Sequence, residues 1–328
     1  MLQSKTDLSG TIILSMKYLV TGSCGFIGST LSQKLLGLGH QVLGVDALTE
    51  NYSPAIKAVN KQGLLENVNY SHAEMDLFDC DLEPLMENIS GVFHLAGHPS
   101  VHSSWGPDFN VYVNRNVIVT ERLLKAALES RVPKFINSSS SSVYGRAKTT
   151  PTRENDSRNP VSPYGVTKLA AEELCTLYGT EFGLNSVSLR YFTVFGPRQR
   201  PDMAFNKLVT AGLQSSPFPL HGNGSQIRDF TFVEDVADAN IAALLAQTNP
   251  GDVFNIGGGS PISMLDAISM LEEIMGLKIE IHSGPLGPGN PMITQANCAS
   301  AHKILKWEPK VDIFEGLKRQ VDWQMNRS

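Results

Sequence analysis

Three features of this 328-residue chain predict an α/β fold, a doubly wound parallel sheet followed by a smaller α+β lobe. An apolar segment at residues 16–20 runs into a glycine-rich turn and then into helix-forming sequence. Short β-prone runs then alternate with helical stretches as far as about residue 190, the pattern of parallel strands joined by crossover helices. Beyond that point proline and glycine thicken (Pro217, Pro219, Gly222, Gly224) and the alternation loses its regularity, which marks a second lobe. The expected division is 16–190 for the wound domain, with a segment near 231–257 returning to it, and 191–328 for the lobe.

Residues 1–15 are polar and ragged; Met16 is expected to be the functional start, with a weakly ordered extension before it. The first strand enters Gly22-Ser23-Cys24-Gly25-Phe26-Ile27-Gly28, and a helix is expected over 29–38. Glycines spaced GxxGxxG permit a tight turn, close approach of a pyrophosphate and close helix–strand packing, while the helix N-terminus offers amide donors and a positive dipole end. A glycine turn alone is a weak signal. Here it stands between strand and helix and is followed by a second strand, 41–46, ending in Asp46. A carboxylate about 20 residues beyond the turn suits the ribose hydroxyls of a dinucleotide. No arginine follows to receive a 2′-phosphate, so NAD is expected rather than NADP; the plainer alternative is an acidic cap on a βαβ unit.

The strands that follow are expected at 69–72, leading to Asp76 and Leu77, and at 91–97, ending in small residues after Leu95 and Ala96. With Phe26 and Ile27 of the turn, Asp76, Leu77, Leu95 and Ala96 are expected to line the cofactor, because ligands gather at the carboxyl ends of such strands. A helix over 111–128 and a strand over 134–138 come next, and the serines 138–142 lie at a ligand-facing strand end. His94, His98 and His102 are spaced by four, but Gly97 and Pro99 break any shared helical face and no cysteine or carboxylate cluster accompanies them, so no metal site is read.

Ser162-Pro163-Tyr164-Gly165-Val166-Thr167-Lys168 opens a helix at Pro163. Tyr164 and Lys168 are four residues apart and share a face. An ammonium near a phenol favours the phenolate, which is how a tyrosine becomes a general base. The spacing alone is common on amphipathic helices. A strand over 185–192 follows, and helices are expected at 236–246, 263–275, 299–305 and 313–324. Arg198, Arg200 and Arg228 suit a diphosphate or carboxylate ligand; each is as readily a solvent-facing loop arginine.

A net charge of −5 argues against a nucleic-acid or anionic-membrane partner. The four cysteines are far apart with no CxxC pair, and no apolar run is long enough for a membrane span, so a cytoplasmic location is expected.

TGSCGFIG at 21–28, SSSVYG at 140–145, Tyr164-Gly165-Val166-Thr167-Lys168, LRYFTVFGPRQRP at 189–201, RDFTFVEDV at 228–236 and FNIGGG at 254–259 together resemble the extended short-chain dehydrogenase/reductases of the NAD-dependent nucleotide-sugar epimerase/dehydratase group. The resemblance covers nearly everything from Met16 onward and implies a Rossmann NAD-binding domain with a nucleotide-sugar lobe. It implies Ser140, Tyr164 and Lys168 as catalytic residues, with Gly22, Gly25, Phe26, Ile27, Gly28 and Asp46 on the cofactor and Tyr164 and Lys168 touching it as well. Relatives that dehydrate carry an acid pair, and those that decarboxylate a glutamate, where this chain has Ser141 and Ser142. The activity implied is therefore 4-epimerisation of a UDP-sugar, first UDP-glucuronate to UDP-galacturonate through a 4-keto intermediate. The alternatives are UDP-glucuronate decarboxylation and 4-epimerisation of UDP-glucose or UDP-N-acetylglucosamine. Ser141, Ser142 and Thr193 would hold the sugar carboxylate, Arg200 the sugar or its diphosphate, Arg228 the uridine diphosphate, and Val101 would line the same site. The chain departs from the pattern at Ser100-Val101-His102, where relatives often carry an arginine, and at Asn290 and Asn297, where they more often carry acids. A homodimer through the helices near 111–128 and 164–178 is also implied.

Overall fold

The structure, a computed structural model, describes residues 4–6, 12–287 and 289–327. Strand β1 (Lys17–Thr21) is buried along four of its five residues, as a central parallel strand covered on both faces must be. Tyr18 and Val20 point to one face of the sheet and Leu19 to the other, and each joins a separate apolar core. The glycine turn delivers the chain into α1 (Phe26–Gly37), which starts three residues earlier than expected because Gly25, not a polar side chain, serves as its N-cap. After β2 (Gln41–Val45) comes a helix that periodicity did not reveal, α2 (Pro54–Leu65), opened by Pro54. Then follow β3 (Tyr70–Ala73), β4 (Gly91–His94), α3 (Val119–Glu129), β5 (Phe135–Ser140), α4 (Pro163–Phe182) and β6 (Ser186–Tyr191). Ahead of α3 the helix is already running, as an α turn at Phe109–Tyr112 and a π-helical stretch at Val113–Ile118.

Beyond β6, α5 (Ala204–Leu213) belongs to the lobe, and α6 (Val233–Leu245) and β7 (Asp252–Ile256) rejoin the sheet. The lobe is completed by α7 (Met264–Met275), with a Ser263–Asp266 capping box, and α8 (Ile313–Met325). The segment expected to be helical at 299–305 is π-helical over Ala301–Leu305.

All seven strands are parallel, in the order β7-β6-β5-β4-β1-β2-β3. The order reverses between β1 and β4, and a crevice opens there at the carboxyl ends of the strands. On one face α1 and α6 supply Leu31, Leu35, Val236 and Ala239; on the other α3 and α4 supply Leu123, Leu124 and Cys175. Each fully buried leucine or phenylalanine contributes about 1.5–3 kcal/mol. The lobe has its own core around Phe205, Phe218, Phe230, Ile268 and Leu317. Its strands are short: Phe218–His221 pairs with Ile281–Gly284, and Ile227–Arg228 lies between Ile262–Ser263 and Ile293–Thr294.

Ser4–Thr6 and Ile12–Leu14 form a two-stranded antiparallel ladder where a ragged extension was expected; residues 1–3 and 7–11, covered by the same expectation, lie outside the described residues.

Candidate active site

A cavity of about 780 Å³ occupies the crevice at the reversal point. Its floor is the glycine turn. Gly22 has φ of +69°, and a Cβ on Gly28 would stand 2.1 Å from the Gly22 carbonyl oxygen, so both positions require glycine. No side chain caps α1, which leaves its first amides directed at the crevice. Asp46 accepts from the Cys24 amide (3.1 Å) and the Leu48 amide (2.8 Å), which fixes its carboxylate at the cavity wall. Thr21 Oγ1 accepts from the amides of Leu95 and Ala96 (3.2 and 3.1 Å), holding the end of β4 against the turn. Gly25, Phe26, Ile27, Asp76, Leu77, Leu95 and Ala96 all line this space. Open amides, a glycine floor and a fixed carboxylate about 20 residues further on fit a dinucleotide.

The far end of the cavity is set by β5 and α4. Ser162 is extended at the N-cap and its Oγ accepts from the Gly165 amide at 3.0 Å, so α4 begins with Pro163 and turns Tyr164 and Lys168 toward the end of β5. Ser140 ends β5, and its Oγ accepts from both the amide and the hydroxyl of Ser142 (3.2 and 2.9 Å). Burial pushes the Tyr164 phenol up, while a hydrogen bond with Ser140 and the Arg200 charge pull it back. Burial lowers the Lys168 ammonium to about 8.

The Lys168 ammonium, needing an acceptor in a buried site, takes the Ser138 carbonyl of β5, and the Arg200 charge also draws on the Tyr164 phenol. Sequence spacing placed the two side chains on one face but could not say where the ammonium would turn.

On the lobe side, Val101, Ser141, Ser142, Thr193, Arg200 and Arg228 also line the cavity. Arg200 is held by Asp202 through two 2.9 Å bonds. Arg228 gives one donor to the Ile227 carbonyl, and burial lowers its guanidinium to about 10. Arg198, by contrast, stands outside the lining, with φ of +68°, and bonds Gln33 at 2.8 Å. Of the two departing asparagines, Asn290 lines the cavity, whereas Asn297 is outside the lining and its carbonyl faces the Asn255 amide at 3.4 Å.

The three histidines are dispersed. His94 is clamped between the hydroxyls of Thr21 and Thr120, 2.9 Å each, and burial lowers it to about 3. His98 stands edge-on to Tyr112, and His102 stacks on His221. Among the described residues no group of three or more His, Cys, Asp or Glu converges as a metal site would.

The sequence model of the NAD dependent epimerase/dehydratase family matches residues 18–257. The chain belongs to the NAD dependent epimerase/dehydratase family. A UDP-glucuronic acid 4-epimerase from Bacillus cereus, solved with UDP-glucuronic acid and NAD, is 42% identical with a TM-score of 0.92, covering 95% of this chain and 100% of that one. A UDP-glucuronate 4-epimerase of Thermodesulfobacterium geofontis is 36% identical over 312 residues, 93% of this chain and 95% of that one. An uncharacterised UDP-glucose epimerase of Bacillus subtilis is 40% identical over 307 residues, 93% and 97% of the two chains.

In this epimerase/dehydratase chain, two groups of cavity residues escaped sequence reasoning. One is the loop after β2. Lys57 is buried, donates to the Thr49 carbonyl (2.9 Å) and Asn51 Oδ1 (3.0 Å), and lies over the Tyr52 ring. The buried lysine gave no sequence signal because α2 was not recognised. The other is Asn116, from the π-helical stretch. It accepts from the His98 amide (2.7 Å) and donates to the His98 carbonyl and Thr167 Oγ1. A polar residue at an inward helical position was the only available signal. Arg115 beside it pairs with Asp76 at the cavity edge.

Proposed function

We propose that this chain is an NAD-dependent 4-epimerase that interconverts UDP-glucuronate and UDP-galacturonate. One observation carries the reading: three successive serines, 140–142, bring only hydroxyls to the part of the cavity that also holds Tyr164. Loss of water from C6, or protonation of C5 once CO₂ has left it, is served by an acid–base group there; moving a hydride off C4 and back needs none beyond the tyrosine. Likeness to the Bacillus cereus and Thermodesulfobacterium geofontis enzymes supports the same substrate.

In this reading Gly22, Gly25, Phe26, Ile27, Gly28, Asp46, Asp76, Leu77, Leu95 and Ala96 hold NAD, with Tyr164 and Lys168 beside it. When bound, oxidised NAD supplies the hydride acceptor and a positive ring charge. Tyr164 takes the proton of the C4 hydroxyl, with Ser140 hydrogen-bonded to the phenol oxygen so that the proton moves along a fixed line. Lys168 and Arg200 favour the phenolate against burial. Arg200 and Arg228 anchor the diphosphate while the 4-keto sugar turns, and Tyr164 returns the proton afterwards. A 4-keto uronate is a β-keto acid, prone to lose CO₂ when its carboxylate lies across the carbonyl plane. Ser141, Ser142 and Thr193 hold it out of that alignment.

Residues 16–190, with the stretch near 231–257, are read as the cofactor unit and 191–328 as the sugar-nucleotide lobe. The chain is read as a homodimer. Val111, Ile118, Val166, Leu177 and Phe182 are exposed on the two helical segments 109–129 and α4, an apolar area that a second copy would cover. Four unpaired cysteines suit a cytoplasmic setting, and a net charge of −5 argues against a nucleic-acid partner. Among the described residues no helix is long and apolar enough to cross a membrane.

The test is product analysis by NMR on a panel of UDP-sugars with added NAD. UDP-galacturonate from UDP-glucuronate, without pentose, is the expected result. UDP-xylose as main product would make the protein a lyase, and turnover of UDP-glucose alone would remove the carboxylate argument.

A further inference from the structure

Glu172 lies one helical turn beyond Lys168 on α4 and is wholly buried. Its carboxylate accepts three hydrogen bonds: Ser139 Oγ at 2.6 Å, Arg190 Nε at 2.9 Å and Arg190 Nη2 at 2.6 Å. Arg190, on β6, is among the largest fully buried side chains of the molecule. Its other donors reach the Tyr144 hydroxyl (2.5 Å) and the Glu154 carbonyl (2.9 Å), and its guanidinium lies over the Tyr144 ring. Tyr144 passes a bond to Asn255 of β7 at 2.7 Å. The bland account is a satisfied pair that merely fills space. Buried ion pairs are poor stabilisers, however, since well-packed apolar residues of similar volume often do as well.

What the pair does provide is placement. Ser139 immediately precedes Ser140, and the carbonyl one residue earlier, on Ser138, receives the Lys168 ammonium. Helix α4 is therefore tied to β5 at the two residues leading into Ser140. Arg190 precedes Tyr191, whose backbone is paired with Ser140, and stands three residues before Thr193. The pair is also electrically close to the reacting groups. Burial lowers Lys168 to about 8, and Cys175 and Glu172 work against it. Cys175 is itself pushed up to about 12, mainly by burial, so at neutral pH the charge that counts is Glu172. Arg158, from the loop before α4, approaches Glu172 to 3.7 Å from the solvent side and pairs with Glu173.

We propose that Glu172 and Arg190 are positioning residues of the epimerase reaction, an ion pair that sets Ser140 against Tyr164 and balances the charge around the Tyr164–Lys168 couple. The inference rests on Tyr164 being the base. Two measurements test it in the NAD-loaded protein: titration of the Tyr164 phenolate by near-ultraviolet absorbance, with Tyr164→Phe as the reference, and the pH dependence of kcat and KM. Glu172→Gln leaves the Arg190 charge uncompensated, so the phenolate midpoint and the kcat profile should move to lower pH by about half a unit or more. Arg190→Gln leaves the carboxylate uncompensated and should move both to higher pH. In each, kcat should fall at least about tenfold with KM changed less than about threefold, the mark of a geometry made in the transition state. A merely structural pair would lower the melting temperature while leaving midpoint and kcat in place, and that result, or shifts in the same direction, would overturn the proposal. Should Arg190→Gln fail to fold, Ser139→Ala removes one bond and no charge; it should lower kcat several-fold at an unchanged midpoint, and an unchanged kcat would overturn the placement. The phenolate titration needs no sugar, so a protein inert to every UDP-sugar but showing opposite shifts would refute the substrate reading alone.

Discussion

Along the wall that carries Asp46, the cavity is shaped by main chain: the turn at 22–28, the ends of β1, β2 and β4, and the first amides of α1. Along the opposite wall it is shaped by side chains on short ladders and loops, Thr193, Arg200, Arg228 and Asn290. The first wall suits a cofactor that does not vary, and it tolerates little change because an added Cβ meets backbone. The second presents individually replaceable side chains, Arg228 on a two-residue strand and Thr193, Arg200 and Asn290 on loops. A family that keeps one redox chemistry while changing sugars needs a division of this kind, with constancy in the backbone and choice in the side chains.

The largest effect should come at the junction of the two walls. Tyr164→Phe removes the proposed base and its bond to Ser140, so turnover should fall by about 10²–10⁴ while NAD and UDP-sugar still bind by calorimetry. A loss of less than about tenfold, or 1.4 kcal/mol, would move the role elsewhere. On the main-chain wall, Gly28→Ala forces a Cβ to 2.1 Å from the Gly22 carbonyl oxygen, and the turn must open. NAD affinity should drop by about tenfold or more, with a stability loss of about 1–3 kcal/mol, read by fluorescence titration and thermal melting. If both values stay put, the turn is softer than its geometry implies.

Raising pH acts on the junction again. Lys168 loses its proton as pH rises through about 8, so kcat should decline on the alkaline side, toward tenfold per unit. A flat profile to pH 10 would show that the ammonium is not needed. On the side-chain wall, Arg228→Ala should raise KM for UDP-glucuronate by about tenfold, near 1.4 kcal/mol, with kcat almost unchanged. An equal loss in kcat would place Arg228 in the reaction itself. The smallest expected effect is a change in product: Ser142→Ala or Thr193→Ala should raise the share of decarboxylated sugar a few-fold over wild type, about 1 kcal/mol of lost restraint. NMR of the product mixture reads it.

The same contrast explains what could be read before any coordinates. The glycine turn, Asp46 and the Tyr164–Lys168 spacing are local patterns whose geometry follows from adjacent residues, and each lies in the cavity lining. Arg198 and Arg200 are two residues apart on a loop, and no sequence rule distinguishes the one that faces Gln33 from the one that faces the cavity. Nothing local in the sequence marks Glu172 as buried, because its partners, Ser139 and Arg190, are 33 and 18 residues away. Helix α2 was hidden by Lys57 and Asn60, polar residues on its buried side.

One detail of the helical run 109–129 carries a further consequence. An α-helix turns about 100° per residue, so a π-helical stretch, which takes up one residue more than an α turn, shifts the angular phase of everything before it. Here Val113–Ile118 lets Asn116 reach His98 and Thr167 while Leu123 and Leu124 still meet the core. The exposed Phe109, Val111 and Ile118 inherit their direction from the same stretch. Length variation between 109 and 119 would therefore act as a rotation rather than as a lengthening, and one deleted residue would re-aim the inner polar contact and the outer apolar stripe together.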